Sequence, residues 1–189
     1  RFFDGSNLDS TLTRASILGV VALGQSLVLL TGGIDLSVPA VIVITAVTIA
    51  ESTSAGGSGL FAGLVLAAVF ALAIGLVNGL LVAVRGVPPF VATFGMFVSL
   101  EGARLAWTRG QVSGSVPDGL KSFGQGDFGP LPYIAIIWVM LVATLTFVKQ
   151  RTPIGREVVI AGSNERMAFL SGINSQRIKI AAYVCSSLL

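Results

Sequence analysis

Residues 60–84 read LFAGLVLAAVFALAIGLVNGLLVAV, inside an uncharged stretch that runs from Ser52 to Val84. A helix needs about 20 consecutive apolar residues to cross the hydrocarbon core of a bilayer. This stretch is long enough by itself. Working outward, Ala15–Thr31, Leu36–Ala50, Gly86–Leu100 and Phe128–Val148 are also free of Asp, Glu, Lys and Arg, as is Ile180–Leu189. A soluble core supplies one run of this kind, not five within 189 residues. The expected fold is all-α: a polytopic helical membrane protein with about six spans. They are expected near 14–32, 37–54, 60–84, 89–108, 132–148 and from about 177 onward.

Composition agrees. The chain is 53% hydrophobic and only 11% charged, less than half the charged share of an ordinary soluble domain, which is roughly a quarter. That excludes disorder as well, because disorder needs low hydrophobicity and high charge. There is no histidine, so histidine catalysis and histidine metal ligation are ruled out. The single cysteine, Cys185, has no partner within the chain for a disulfide. No acid pair or nucleophile–base set falls in the spans, so the chain reads as a non-enzyme with no metal site.

The breaks between runs have turn composition. Residues 52–59 are Gly- and Ser-rich, Arg85–Pro89 is a tight turn, and 109–131 is a longer loop rich in Gly, Ser, Asp and Pro. Arg1–Ser10 lacks a signal-peptide pattern. Arg85 shares a side with the most basic segment, which holds Lys149, Arg151, Arg156, Arg166, Arg177 and Lys179. Basic residues favour the cytoplasmic side. Residues 149–176 are therefore expected in the cytoplasm, with loop 109–131 and the N-terminus outside. Trp107 and Tyr133 then fall at outer span ends, where amphipathic rings prefer the interface.

Polar groups inside apolar runs need partners. Gln25 is either an interhelical hydrogen-bonding group or a lining residue of a translocation path. Thr31–Pro39, reading TGGIDLSVP, breaks one helix and starts another: glycines loosen the backbone, Asp35 or Ser37 can cap, and Pro39 suits a first turn. Two readings of this break stand side by side, a discontinuous helix at membrane depth near 32–38 and a capped loop at the cytoplasmic face. Asn78 lies between Gly75 and Gly79, a small-residue spacing for close helix packing. Gly59 and Gly63 repeat it, and Gly95, Ser99 and Ala103 make a similar face. Glu101 and Arg104 are three apart and can pair.

Residues 149–156 are expected to leave the membrane through a proline–glycine turn. Within 161–174, Ser163 or Asn164 suits an N-cap, Glu165 suits the helix dipole, and Gly172 suits a stop. A short helix of about two turns is expected over 163–172. Met167, Phe169 and Leu170 give it apolar surface beside the charged Glu165 and Arg166. It lies either on the headgroups or in the groove of a cytoplasmic partner.

Thr31–Ser37, then Pro89–Thr93, then Thr152–Arg156, then Gly162–Glu165 through Ser171–Asn174 follow the order and spacing of ribose-type sugar permeases, which this sequence resembles. These are membrane subunits of bacterial ABC importers, within the group that includes branched-chain amino acid permeases. The resemblance covers nearly the whole chain, although the family pattern often has glycine where Ser163 stands. It implies a single transmembrane domain over 1–189, part of a longer permease lacking here the first span and about the last third. It implies a dimer in the cytoplasmic (inner) membrane, two cytoplasmic ATPases that hold ATP and Mg, and an extracytoplasmic sugar-binding protein. It also implies that 163–172 is the coupling helix, with Ser163, Asn164, Glu165, Arg166, Met167, Phe169, Leu170 and Gly172 meeting the ATPase. The chain has no G-x-x-x-x-G-K-[ST] loop for nucleotide phosphates and is expected to bind no cofactor and no nucleic acid. Gln25, Asp35, Ser37, Asn78 and Phe90 are the candidate residues of the substrate pathway. The alternative is an ion-coupled secondary transporter of a small polar solute, for which Asp35 is the main intramembrane ionisable group.

Overall fold

The computed structural model describes residues 5–53, 59–111, 116, 118–129 and 131–189, with side chains from Asn7 onward. The expected Gly/Ser loop falls largely on 54–58, outside the described residues. Nine helices and one small hairpin are found among the described residues. They run α1 (Gly5–Leu30), α2 (Val38–Thr53), α3 (Gly59–Ala83), α4 (Pro89–Thr108), α5 (Asp118–Gly124), β1 (Asp127–Phe128), β2 (Leu131–Pro132), α6 (Tyr133–Arg151), α7 (Pro153–Ser163), α8 (Glu165–Leu170) and α9 (Ser175–Leu188). The fold is all-α apart from the two-residue antiparallel pairing of β1 with β2.

All six expected spans exist as helices, with shifted edges. α1 starts earlier than the apolar run because Ser10 and Thr11 turn their hydroxyls back onto the Asn7 carbonyl, which makes this polar turn helix-compatible. α4 opens on Pro89 and ends where Arg109 and Gly110 take left-handed backbone angles. α9 starts at Ser175 because the Asn174 side chain accepts from the Arg177 N–H. By length and composition α1, α3 and α6 are long and apolar enough to cross a membrane, while α2 is apolar but spans only 16 residues. The expected loop 109–131 contains α5 and the hairpin.

Interhelical contacts fix the directions. Gly63 of α3 lies against Ile49 and Ser52 at the end of α2, and Asn78 reaches Ser37 before its start, so α2 and α3 are antiparallel. Gly75 meets Val184 and Gly79 meets Ile180, so α3 and α9 are antiparallel. Gly24 meets Ser186, so α1 and α9 are antiparallel too. A β-carbon on Gly79 would sit 2.8 Å from the Ile180 Cα. Only glycine allows helix backbones this close, as the small-residue spacing anticipated. α6 follows α1, with Trp138 filling the space at Gly19. α4 follows α2, as Thr93 nears Ile34 and its later residues Met96 and Leu100 pack on Val41, Ile44, Ala71 and Ile74. The six long helices therefore alternate in direction, and α7 and α8 sit at one end. Trp107 and Tyr133 stand at the other.

The break after α1 is real: the helix stops at Leu30 and resumes at Val38. Because α2 runs opposite to α1, the break is a connection between antiparallel helices at the α7–α8 end of the bundle.

The core is thin and the surface is greasy. Phe61 is 77% exposed and Leu18 68%, and in α6 only Ala135 is buried. An apolar surface this large is a liability in water. In lipid it carries no such penalty, because the surrounding tails are equally apolar.

Candidate functional site

Two constructions concentrate the polar chemistry. The first is a knot around residues 31–37. Asp35 is buried, and its Oδ1 accepts from the Ser37 N–H at 2.9 Å and the Ser37 hydroxyl at 2.6 Å. This local turn sets the chain for α2, so Asp35 caps the approach to the helix. Ser37 in turn accepts from Asn78 Nδ2 at 2.8 Å. Thr93 of α4 donates to its own helix at Pro89 and lies 3.4 Å from the Ile34 carbonyl oxygen. Tyr183 of α9 is fully buried and donates to the same carbonyl at 3.3 Å. Gly33 makes room for the phenol, since a β-carbon there would stand 2.6 Å from the Tyr183 oxygen. Three helices thus hold one irregular segment. Asp35 Oδ2 and Asn78 Oδ1 are buried acceptors without a partner, a cost of roughly 1–3 kcal/mol each when nothing fills the gap.

The knot unites Asp35, Ser37 and Asn78. It leaves out Gln25, which sits earlier in α1, half-buried, with its side-chain oxygen shielded and unpartnered. It also leaves out Phe90, exposed on α4 and stacked on Phe94 at 5.8 Å. Thr93 and Tyr183, which belong to the knot, were not singled out by the sequence. Each gains its role only once α4 and α9 are placed beside α3.

The second construction is the segment from 152 to 174. The expected proline–glycine turn at 152–156 is instead the start of α7. Thr152 accepts from the Gly155 N–H as N-cap, and Pro153 takes the first helical position, where its missing N–H costs nothing. Gly155 is buried against the backbone of Val148 and Lys149, so a side chain there has no room. Gly162 presses on the backbone of Leu30 and Thr31 in the same way.

The short helix itself is α8, Glu165–Leu170, inside the expected 163–172. Asn164 is the cap, accepting from the Met167 N–H at 3.0 Å. Ser163 is not a cap; it closes α7 and turns its hydroxyl back to Ile160. Gly172 has φ +73°, and Gly172 and Ile173 return their N–H groups to Phe169 and Ala168. That is a Schellman stop. Ala168 alone faces inward, while Phe169 is 80%, Leu170 72% and Met167 55% exposed. Glu165 pairs with Lys179, tying α8 to α9, and Arg166 is exposed. Between α1, α6, α7 and α9 lies an open groove of about 220 Å³, lined by apolar side chains and Lys149. It offers little to a polar solute.

Among the described residues no group of three His, Cys, Asp or Glu is placed to hold a metal ion.

Alternating apolar helices, a pinned break and a capped, greasy helix at one end define a polytopic helical membrane protein. Residues 7–189 match the family described as branched-chain amino acid transport system / permease component, and the chain belongs to that family. It is similar to the ribose import permease protein RbsC of Bacillus subtilis, 33% identical over all of this chain and 59% of that protein. RbsC of Escherichia coli K12 is 36% identical over all of this chain and 60% of that protein. The galactofuranose transporter permease protein YtfT of Escherichia coli K12 is 39% identical over 97% of this chain and 53% of that protein. The chain thus spans somewhat more than half the length of these relatives. No solved structure matches it.

Proposed function

We propose that this chain is the membrane-spanning part of a permease in an ATP-driven ABC importer, passing a sugar of the pentose or hexose class across the bacterial cytoplasmic membrane. Its relatives named for ribose and galactofuranose support the substrate class. ATP and Mg would be held by a separate ATPase that docks on α8, with residues 149–176 on the cytoplasmic side and 109–131 outside. A second permease copy and an extracytoplasmic sugar-binding protein complete the assembly.

The observation that carries the coupling is α8. Two turns of helix are too short to persist alone. This one is capped at both ends and tied to α9, yet it turns Met167, Phe169 and Leu170 outward. Such a helix is built to fill a partner's groove.

The test uses the full-length permease reconstituted with its ATPase and binding protein. Phe169→Asp is expected to abolish sugar-stimulated ATP hydrolysis and co-purification of the ATPase. Unchanged stimulation would overturn the coupling role.

One observation favours a second reading. The unpartnered, buried Asp35 Oδ2 suits an ion-coupled secondary transporter of a small polar solute. Uptake that survives without ATP but collapses with the ion gradient would establish it.

A further inference from the structure

One flank of α4 has a pattern that packing does not explain. Ala92 and Thr93 are buried, and Met96 and Leu100 pack toward α2 and α3. Away from that side, Phe90, Phe94 and Phe97 stack in sequence, with ring centroids 5.8 and 6.2 Å apart and planes within 12° and 21°. The same stripe continues, at the spacing of one helix face, to Glu101 and Arg104. These two form an ion pair of 2.7 Å with side chains 31% and 22% exposed. Arg104 Nε is shielded from solvent and has no acceptor.

Glu101 lies about 18 Å and Arg104 about 22 Å from the Pro89 end of a helix about 30 Å long, one to two turns inside its other end and distant from α7–α8. Charged side chains at such depth face protein or a water-filled cavity, not lipid. Among the described residues they have no partner on another helix. The ion pair makes this flank of α4 polar, and the phenylalanines share that flank.

We propose that this stripe, Phe90–Phe94–Phe97–Glu101–Arg104, is a sugar-contacting wall of the translocation path. A sugar ring has an apolar C–H face and a rim of hydroxyls. Aromatic faces offer flat apolar surface with a negative quadrupole for the C–H face. A carboxylate and guanidinium side by side accept from and donate to neighbouring hydroxyls. The aromatic steps are apolar and lack hydrogen-bonding groups, so they guide a sugar without retaining it. The proposal rests on the importer reading for its ligand, while the wetness of the stripe stands independently.

The test is cysteine scanning in the full-length permease, assembled with its ATPase and binding protein in vesicles, with Cys185 first replaced by serine. Single cysteines are placed at Phe97 and Glu101 on the stripe, and at Val91 and Gly102 on another flank. A membrane-impermeant methanethiosulfonate reagent is expected to modify the first two and spare the second two. D-ribose or D-fructose, added at saturation, is expected to slow that modification. Glu101→Gln and Phe94→Ala are expected to lower uptake of the same sugar about tenfold or more, since a hydrogen bond to a charged group is worth roughly 1.5–3 kcal/mol, with Phe94→Tyr retaining most of it. No labelling at 97 and 101 overturns the wet face. Labelling without protection by either sugar overturns the ligand, and disulfide cross-linking between two copies through position 101 assigns the stripe to an interface between copies instead. If the unmodified assembly shows no ATP-dependent uptake, the importer reading fails while the labelling result still decides the wet face.

Discussion

The phenolic hydroxyl of Tyr183 in α9 donates a hydrogen bond of 3.3 Å to the carbonyl oxygen of Ile34, joining residues 149 positions apart. α9 also carries Lys179, one turn earlier, which holds Glu165 at the start of α8. One helix therefore touches both the short exposed helix and the irregular segment between α1 and α2. Tyr183→Phe removes the hydroxyl and little else. It is expected to lower stability by about 1 kcal/mol, read as a lower melting temperature of the purified permease in detergent.

Asn78 and Ser37 test the knot as a unit. Asn78 is fully buried, so Asn78→Ala loses a hydrogen bond and opens a void. A loss of about 2 kcal/mol is expected. Ser37→Ala strips Asp35 Oδ1 of its 2.6 Å partner and leaves Asn78 Nδ2 without an acceptor. A double-mutant cycle by chemical denaturation is expected to give a coupling of about 1 kcal/mol. Additive effects would show that the two side chains do not act together.

Two glycines of the 152–174 region separate backbone strain from backbone crowding. A β-carbon on Gly172 meets nothing within 4 Å, but its φ is +73°. Gly172→Ala is expected to cost about 1–2 kcal/mol from the left-handed angle alone. Gly162 has ordinary helical angles but no room against Leu30. Gly162→Ala is expected to cost about 1–3 kcal/mol through displacement of α7, and Gly162→Val more. Thermal unfolding of the three variants in parallel checks the ranking.

The outward side chains of α8 are expected to be nearly silent in stability. Phe169→Asp removes no buried contact from an 80% exposed position. Glu165→Ala removes a 65% exposed carboxylate from its pair with Lys179. Each is expected to shift stability by less than about 0.5–1 kcal/mol. A large drop in melting temperature for Phe169→Asp would mean that its ring packs within this chain and is not left for a partner.

The span helices were legible because charge is expensive in lipid and its absence is visible residue by residue. α3 illustrates this: the end of its uncharged run and the Gly- and Ser-rich stretch before it place both ends to within a residue. α7 was not legible. Pro153 and Gly155 read as breakers, yet proline belongs in a first turn, and glycine was required by the neighbouring backbone of Val148 and Lys149. Asp35, Ser37 and Asn78 stood out individually as polar groups in apolar runs. Their meeting was not legible, since Ser37 and Asn78 are 41 positions apart and become neighbours only when α2 and α3 fold antiparallel. Tyr183 has ordinary local sequence, and Thr93 is only the last residue of the Pro89–Thr93 stretch; neither role shows before the helices are arranged.

At Gly162 no side chain cushions the contact with Leu30 and Thr31; main chain rests on main chain. Soft groups absorb small movements by switching rotamer, as a rubber bush absorbs play in a linkage. Here there is nothing to absorb it. Any tilt of α7 reaches the end of α1, five residues before Asp35, with almost no backlash.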